Sequence, residues 1–164
     1  ISVTDHHTGV ASINVCGSGQ NTIIVAPGAN LALNAQEVNS ALSKLLQNGG
    51  AQQNVVLVQL EIDPNAALRA LQTATAEGAL TILNPAPAPK GWTMTDDWYS
   101  NIDILIPNES ELASLCGMSE EDVTGEGEEA MAKALLEKGV RHAVIVTLGE
   151  RGAMIVRRRQ GGEQ

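Results

Sequence analysis

At 164 residues, 43% of them hydrophobic and with 16 Gly against 6 Pro, the chain has the length and composition of one folded domain, not of a disordered segment. A formal net charge of −9, with Arg157-Arg158-Arg159 as the only dense basic run, offers no broad positive face for a phosphate backbone, so nucleic acid is not an expected partner. No apolar run approaches the ~20 residues of a membrane-spanning helix, so no membrane partner is expected, and with no Phe and only Trp92, Trp98 and Tyr99 the core should be aliphatic.

The elements follow in chain order. Val10, Ala11, Ile13 and Val15 nearly alternate with small polar residues, Gly17-Ser18-Gly19-Gln20 supplies a turn, and Thr22-Ile23-Ile24-Val25 resumes an extended run, which predicts a hairpin. Pro27-Gly28-Ala29-Asn30 breaks it. Asn34 then caps a helix whose Val38, Leu42, Leu45 and Leu46 share one face up to Gly49-Gly50. The unbroken run Val55 to Leu60 predicts a strand buried on both faces. Asp63-Pro64 starts the next helix, which ends at Gly78, and Leu80 to Leu83 is the following strand. Strand, helix and strand within about thirty residues form a βαβ unit and imply a parallel sheet. Ile102 to Ile106 is a further strand, Asn108 to Leu115 a short helix, Glu126 to Lys138 a longer one, and Ala143 to Val146 a strand. Ala153 to Val156 hairpins against that last strand. The acidic stretch Glu120 to Glu129 reads as a solvated loop entering the first turn of a helix.

Cys16 and Cys116 are too few and too far apart for a disulfide framework, which points to a reducing, cytoplasmic setting. Ile1 opens the chain without an initiator Met or the regions of a signal peptide, and the start reads as a cut end. His6-His7 and His142 have no metal-ligand spacing and read as loop histidines.

Ligands of parallel sheets sit beyond the carboxyl ends of the strands, so residues just after each buried run are the site candidates. Glu61 ends the first such run, where two carboxylate oxygens can accept from sugar hydroxyls or simply meet water. Asn84-Pro85-Ala86-Pro87-Ala88-Pro89 is a stiff extended loop. Pro107-Asn108-Glu109-Ser110-Glu111 holds a capping-box pair at a helix start; Glu111 there makes chemical sense beside Mg²⁺-bound phosphate rather than bare phosphate. Thr147-Leu148-Gly149-Glu150-Arg151-Gly152 is a turn that lets a backbone approach a ligand or makes an ordinary hairpin. Thr22 stands where a dinucleotide fingerprint needs its third Gly, and no Gly-Lys-Ser/Thr triplet supports a P-loop. The three aromatics adjoin no motif and read as anchors of a loop.

Taken in order, Thr-Gly-Val-Ala (8–11), Pro-Gly-Ala-Asn (27–30), Gln-Leu-Glu (59–61), Asn-Pro-Ala-Pro-Ala (84–88), Pro-Asn-Glu-Ser-Glu (107–111) and Thr-Leu-Gly-x-x-Gly (147–152) resemble the ribokinase-like (PfkB-type) sugar kinases across nearly the whole chain. The resemblance implies a three-layer α/β/α fold with a mostly parallel sheet, truncated at both ends, with residues 1–30 as part of a small β-lid and 31–164 as part of the nucleotide- and sugar-binding domain. It implies transfer of the γ-phosphoryl group of MgATP to the 5-hydroxyl of D-ribose, in a cytoplasmic enzyme that forms a homodimer through its lid and uses a monovalent cation (K⁺). Ala11, Ile13 and Val25 fall where lid side chains face the sugar, and Glu61 where a carboxylate binds ribose. Asn108 and the turn Thr147, Leu148, Gly149, Glu150, Arg151 and Gly152 fall at the ATP, and Glu111 where Mg²⁺ is organised through water. No Gly-Ala-Gly-Asp is present, the nearest strings being Pro-Gly-Ala-Asn and Arg-Gly-Ala-Met. The motif's Asp is the family's catalytic base, so these residues alone are expected to be inactive. Two other readings are a kinase of another sugar or a nucleoside, and a non-catalytic nucleotide-binding module.

Overall fold

In the computed structural model, residues 4–48, 54–88, 92–118 and 125–158 are described. β1 (Val10–Val15) and β2 (Asn21–Ala26) form the expected antiparallel hairpin, a two-stranded sheet separate from the rest and exposed along both strands. A 3₁₀ turn over Gly28–Ala32 follows. At the hairpin's base the chain doubles back tightly. The Ala29 amide donates to the His7 carbonyl (2.8 Å), and Gly28, at φ +52°, lies so close that a Cβ there would sit 2.3 Å from that carbonyl oxygen. Only glycine fits such a left-handed, crowded position.

α1 (Ala35–Gln47) starts on Asn34, whose side chain accepts from the Gln36 and Glu37 amides while Glu37 reaches back to the Asn34 amide, a full capping box. β3 (Val55–Gln59), α2 (Pro64–Ala76) and β4 (Leu80–Asn84) form the βαβ unit, with Asp63 capping α2 and Pro64 in its first turn. α2 turns Ala66, Ala67, Ala70 and Ala74 inward, and these short side chains let it lie close on β3, β4 and α1. The four-residue α3 (Asp96–Tyr99) leads to β5 (Ile104–Leu105). Next come α4 (Glu109–Cys116), α5 (Gly125–Glu137), β6 (Ala143–Thr147) and β7 (Ala153–Arg157).

The second sheet has the order β3-β4-β5-β6-β7, parallel throughout except for the β6–β7 hairpin. Cross-strand partners share a face, so Val58, Leu83, Leu105, Val144 and Val156 form one row across the five strands, and this face carries the core with Leu71, Leu112 and Leu135 of the helices. β3 differs from expectation. As the sheet's edge strand it leaves Val55 and Leu57 exposed, so only one of its faces is buried. β5 is shorter than expected because only Ile104 and Leu105 pair on both sides, although the Asp103 and Ile106 amides still bond to Thr81 and Leu83.

The core is not wholly aliphatic. Trp98 and Tyr99 are buried, Trp92 meets Trp98 edge to face at 4.9 Å, and the Lys138 ammonium lies 5.5 Å from the Tyr99 ring centre, so these aromatics anchor the β4–β5 connection by packing onto the core. At the amino ends of the strands, the buried Asp103 carboxylate accepts from the Thr81 amide (2.8 Å), the Thr81 hydroxyl (3.1 Å) and the Arg141 guanidinium (2.9 Å), and pairs with His142 Nε2 (3.1 Å). This network ties β4, β5 and β6 together below the sheet, and gives His142 a structural partner.

Candidate functional site

The parallel register of β3, β4, β5 and β6 sets their carboxyl ends along one edge of the sheet. There the chain places Glu61 just past β3, Asn84 at the end of β4, Asn108 past β5 and Thr147 at the end of β6. Strand spacing of about 4.8 Å puts the β3 end about 10 Å from the β5 end and about 14 Å from the β6 end.

The Asn108 end is built by the sequence around it. Asn108 caps α4: its Oδ1 accepts from the Glu111 amide (2.8 Å) and the Ser110 hydroxyl (3.0 Å), while Glu111 Oε2 accepts from the Asn108 amide (2.9 Å). Asn108 and Thr147 form an isolated parallel bridge, and the Thr147 amide donates to the Pro107 carbonyl (3.0 Å). After Thr147 the chain winds through a tight turn. The Leu148 amide bonds to the Gly152 carbonyl (2.8 Å), and the Gly152 amide to the Gly149 carbonyl (3.1 Å). Gly149 (φ +55°) and Gly152 (φ +88°) are both left-handed, which makes them glycine positions for backbone reasons.

Between the two walls lies an open cleft of about 450 Å³ lined by Asn108, Glu109, Ser110, Thr147, Gly149 and Gly152. It opens at the start of α4, and the positive end of that helix suits phosphate or ribose oxygens. The structure thus brings Asn108, Thr147, Gly149 and Gly152 together and divides the rest of the turn. Leu148 packs on the core, and Glu150 is exposed. The Arg151 side chain pairs with Glu109 and with Glu128 (2.5 Å), and these two carboxylates push its pKa up. Glu109 was not picked out by sequence reasoning; its place beside the Asn108 cap was the available signal.

Glu61 borders a second space, an apolar groove of about 560 Å³ between α1 and the β3 edge, and the Leu60 amide before it donates to the Ala86 carbonyl (3.1 Å), tying this end to the Asn-Pro-Ala-Pro loop. Ile62 lines both this groove and a cavity of about 480 Å³ beneath the hairpin, to which Thr8, Asn30 and His6 contribute. Asn30 and Thr8 belong to two of the quoted motifs without having been singled out as site residues. In the hairpin, Ala11 pairs with Val25 and Ile13 with Ile23, so all four side chains share one face. Ile23 thus joins the three lid residues that the resemblance implies.

Glu111 presents an oxygen-donor carboxylate beside the cleft with one oxygen held in the capping box, a donor suited to Mg²⁺ through water more than to direct ligation. Among the described residues no group of three or more His, Cys, Asp or Glu is arranged to hold a metal ion. Of the acidic stretch, Glu120, Glu121 and Asp122 lie outside the described residues. Glu129 is exposed and pairs with Lys133 (2.6 Å), whereas Glu128 is buried under Arg151 instead of solvated.

The profile of the pfkB family carbohydrate kinases matches residues 1–164. The chain is 40% identical over 152 residues to the ribokinase of Mus musculus, covering 93% of this chain and 44% of that protein. It is 34% identical over 161 residues to the ribokinase of Staphylococcus aureus (98% and 49%). The structure of Arabidopsis thaliana ribokinase complexed with ribose and ATP superposes with a TM-score of 0.74 at 28% identity, over 98% of this chain and 47% of that one. The chain therefore spans about half the length of these two ribokinases. With its ribokinase-like α/β fold, and the family profile matched from end to end, it belongs to the pfkB family of carbohydrate kinases.

Proposed function

We propose that the protein transfers the γ-phosphoryl group of MgATP to the 5-hydroxyl of D-ribose, and that these residues supply its nucleotide cleft, a sugar-binding carboxylate and part of its lid. The observation that carries the reading is the cleft at Asn108, Thr147, Gly149 and Gly152 on the same sheet edge as Glu61. A gap of about 10–14 Å between the two suits a sugar at one end and a nucleotide's phosphates at the other. The ribokinase relatives, one of them solved with ribose and ATP, support this choice of substrates.

In this reading the glycines of the turn let backbone lie against the nucleotide, Asn108 orients it, and Glu61 accepts hydrogen bonds from ribose hydroxyls. Ala11, Ile13 and Val25 cover the sugar with apolar surface and exclude water. Glu111 would hold Mg²⁺ through water, and the ion when bound neutralises charge on the polyphosphate. Positioning and charge stabilisation are most of what phosphoryl transfer asks of a protein. The base is a separate matter. With no Gly-Ala-Gly-Asp in the sequence, proton removal and the K⁺ requirement fall to no residue here, and we infer that these 164 residues alone release no ADP. Residues 1–30 act as the lid portion and the remainder as the binding domain. The exposed hairpin, with Val10 and Ile24 uncovered on the face opposite Ala11 and Ile13, is the surface for a lid-to-lid homodimer, and the setting is cytoplasmic.

A coupled ADP-release assay on the full-length gene product tests this. Ribose-dependent turnover is expected, and Glu61→Gln should raise the ribose KM about tenfold or more with the ATP KM unchanged. A clear preference for another sugar or a nucleoside overturns the substrate. Turnover by the 164 residues alone overturns the assignment of the base.

A further inference from the structure

Glu109 lines the cleft, where a carboxylate would repel a polyphosphate, yet its charge is taken up by Arg151. The same guanidinium reaches Glu128 on α5, forming bonds of 2.5 and 3.3 Å to its two oxygens, and Glu128 is only 3% exposed. Arg151 sits in the turn between Gly149 and Gly152, so a single side chain joins the turn wall of the cleft to the α4 wall and to a buried carboxylate behind them. A planar fork with several donors can serve two carboxylates at once.

We propose that Arg151 is a positioning residue for the nucleotide, acting as a charge latch that cancels Glu109 at the cleft and fixes the turn on α4, with Glu128 as its buried anchor. The inference rests on the reading of this cleft as the nucleotide site. It assigns the Arg151 side chain to two carboxylates and leaves nucleotide contact to the turn's backbone. Two like charges at the mouth of the cleft repel each other, so unmasking Glu109 should weaken nucleotide binding, by about tenfold at low salt.

The test uses the full-length gene product, with nucleotide affinity read from a fluorescent ADP analogue and KM values for ATP and ribose read separately. Arg151→Met is expected to raise the ATP KM and the analogue Kd about tenfold while the ribose KM stays within twofold, and the defect should shrink at high salt. Adding Glu109→Gln to Arg151→Met should restore part of the affinity, because the charge facing the cleft is gone while Glu128 stays buried without its partner. Arg151→Lys keeps the charge but loses the fork that serves both carboxylates, so its loss of affinity should fall between the parent and Arg151→Met. If Arg151→Met does not fold, the Arg151→Lys and Glu109→Gln proteins carry the comparison, with Glu109→Gln expected at or above parental affinity. Unchanged nucleotide affinity in Arg151→Met, an equal loss for ATP and ribose, no recovery with Glu109→Gln, or weaker binding by Glu109→Gln alone overturns the latch. A parent that binds the analogue but phosphorylates no ribose overturns the kinase reading while the latch is still judged on binding. A parent that binds no nucleotide overturns both.

Discussion

Asp103→Ala is expected to be among the most damaging single changes outside the aliphatic core. The carboxylate is 4% exposed and accepts from the Thr81 amide, the Thr81 hydroxyl and Arg141, with His142 on its other oxygen. Truncation leaves the Thr81 amide in a dry gap beside a guanidinium whose buried Nε already lacks a partner. Removing one member of a buried pair costs about 3–5 kcal/mol, and a hydrogen bond to a charged group about 1.5–3 kcal/mol. The Arg141 side chain is 36% exposed and regains some hydration, which places the expected loss near 3 kcal/mol. Denaturant unfolding of the full-length gene product measures it. Arg141→Met should cost less, about 1–2 kcal/mol, and His142→Gln no more than about 0.5 kcal/mol because that imidazole is mostly in water. The Asp103→Ala/Arg141→Met double variant should lose clearly less than the sum of the singles. A loss below about 1 kcal/mol for Asp103→Ala, or strict additivity with Arg141→Met, would refute the reasoning.

Gly28→Ala forces a Cβ against the His7 carbonyl at a left-handed φ and should destabilise the hairpin base by about 1–3 kcal/mol; amide exchange of Ala29 should quicken, and parental exchange would count against the crowding argument. Burial, with smaller contributions from Cys116 and Asp96, pushes the Tyr99 phenol up from 10.0 to about 12. The folded state therefore holds the proton after the unfolded chain has released it, so stability is intact below pH 10 and falls as pH rises from 10 towards 12. Tyr99→Phe should flatten that decline in unfolding free energy, and an unchanged slope would contradict it. The Ser18 hydroxyl, 2.9 Å from Cys16 Sγ, lowers the pKa of that exposed thiol, while burial raises that of Cys116. Peptide mapping after brief iodoacetamide treatment at neutral pH should find Cys16 alkylated first, and Ser18→Ala should slow it; the reverse order would overturn this.

Local chemistry was legible in the chain. The Asn34–Glu37 and Asn108–Glu111 boxes, the Asp63-Pro64 start and the βαβ spacing all rest on neighbours within four residues or on one period, and each stands where the pattern put it. What escaped depends on distant partners. Glu128 looks like one more acid in a solvated run, and its burial is matched by the distant Arg151 guanidinium. The apolar run of β3 reads as a central strand, and nothing in its own residues says that it lies at a sheet edge. Trp98 and Tyr99 fall in a segment without motif, and their burial reflects packing with the rest of the core. In the cleft, the motif letters placed Asn108, Thr147 and the glycines together, but which of the turn's side chains face away was set by Glu109 and the core.

The Asn108–Thr147 bridge also bears on the order in which the cleft forms. The turn at Gly149 to Gly152 closes the antiparallel β6–β7 hairpin, a local pairing made quickly and at small loss of chain entropy. The bridge joins residues roughly forty positions apart and waits on the slower docking of parallel strands. One wall of the cleft is thus an early, local structure and the other a late, long-range one. Slow folding phases should therefore report on the α4 wall, with the glycine turn already formed.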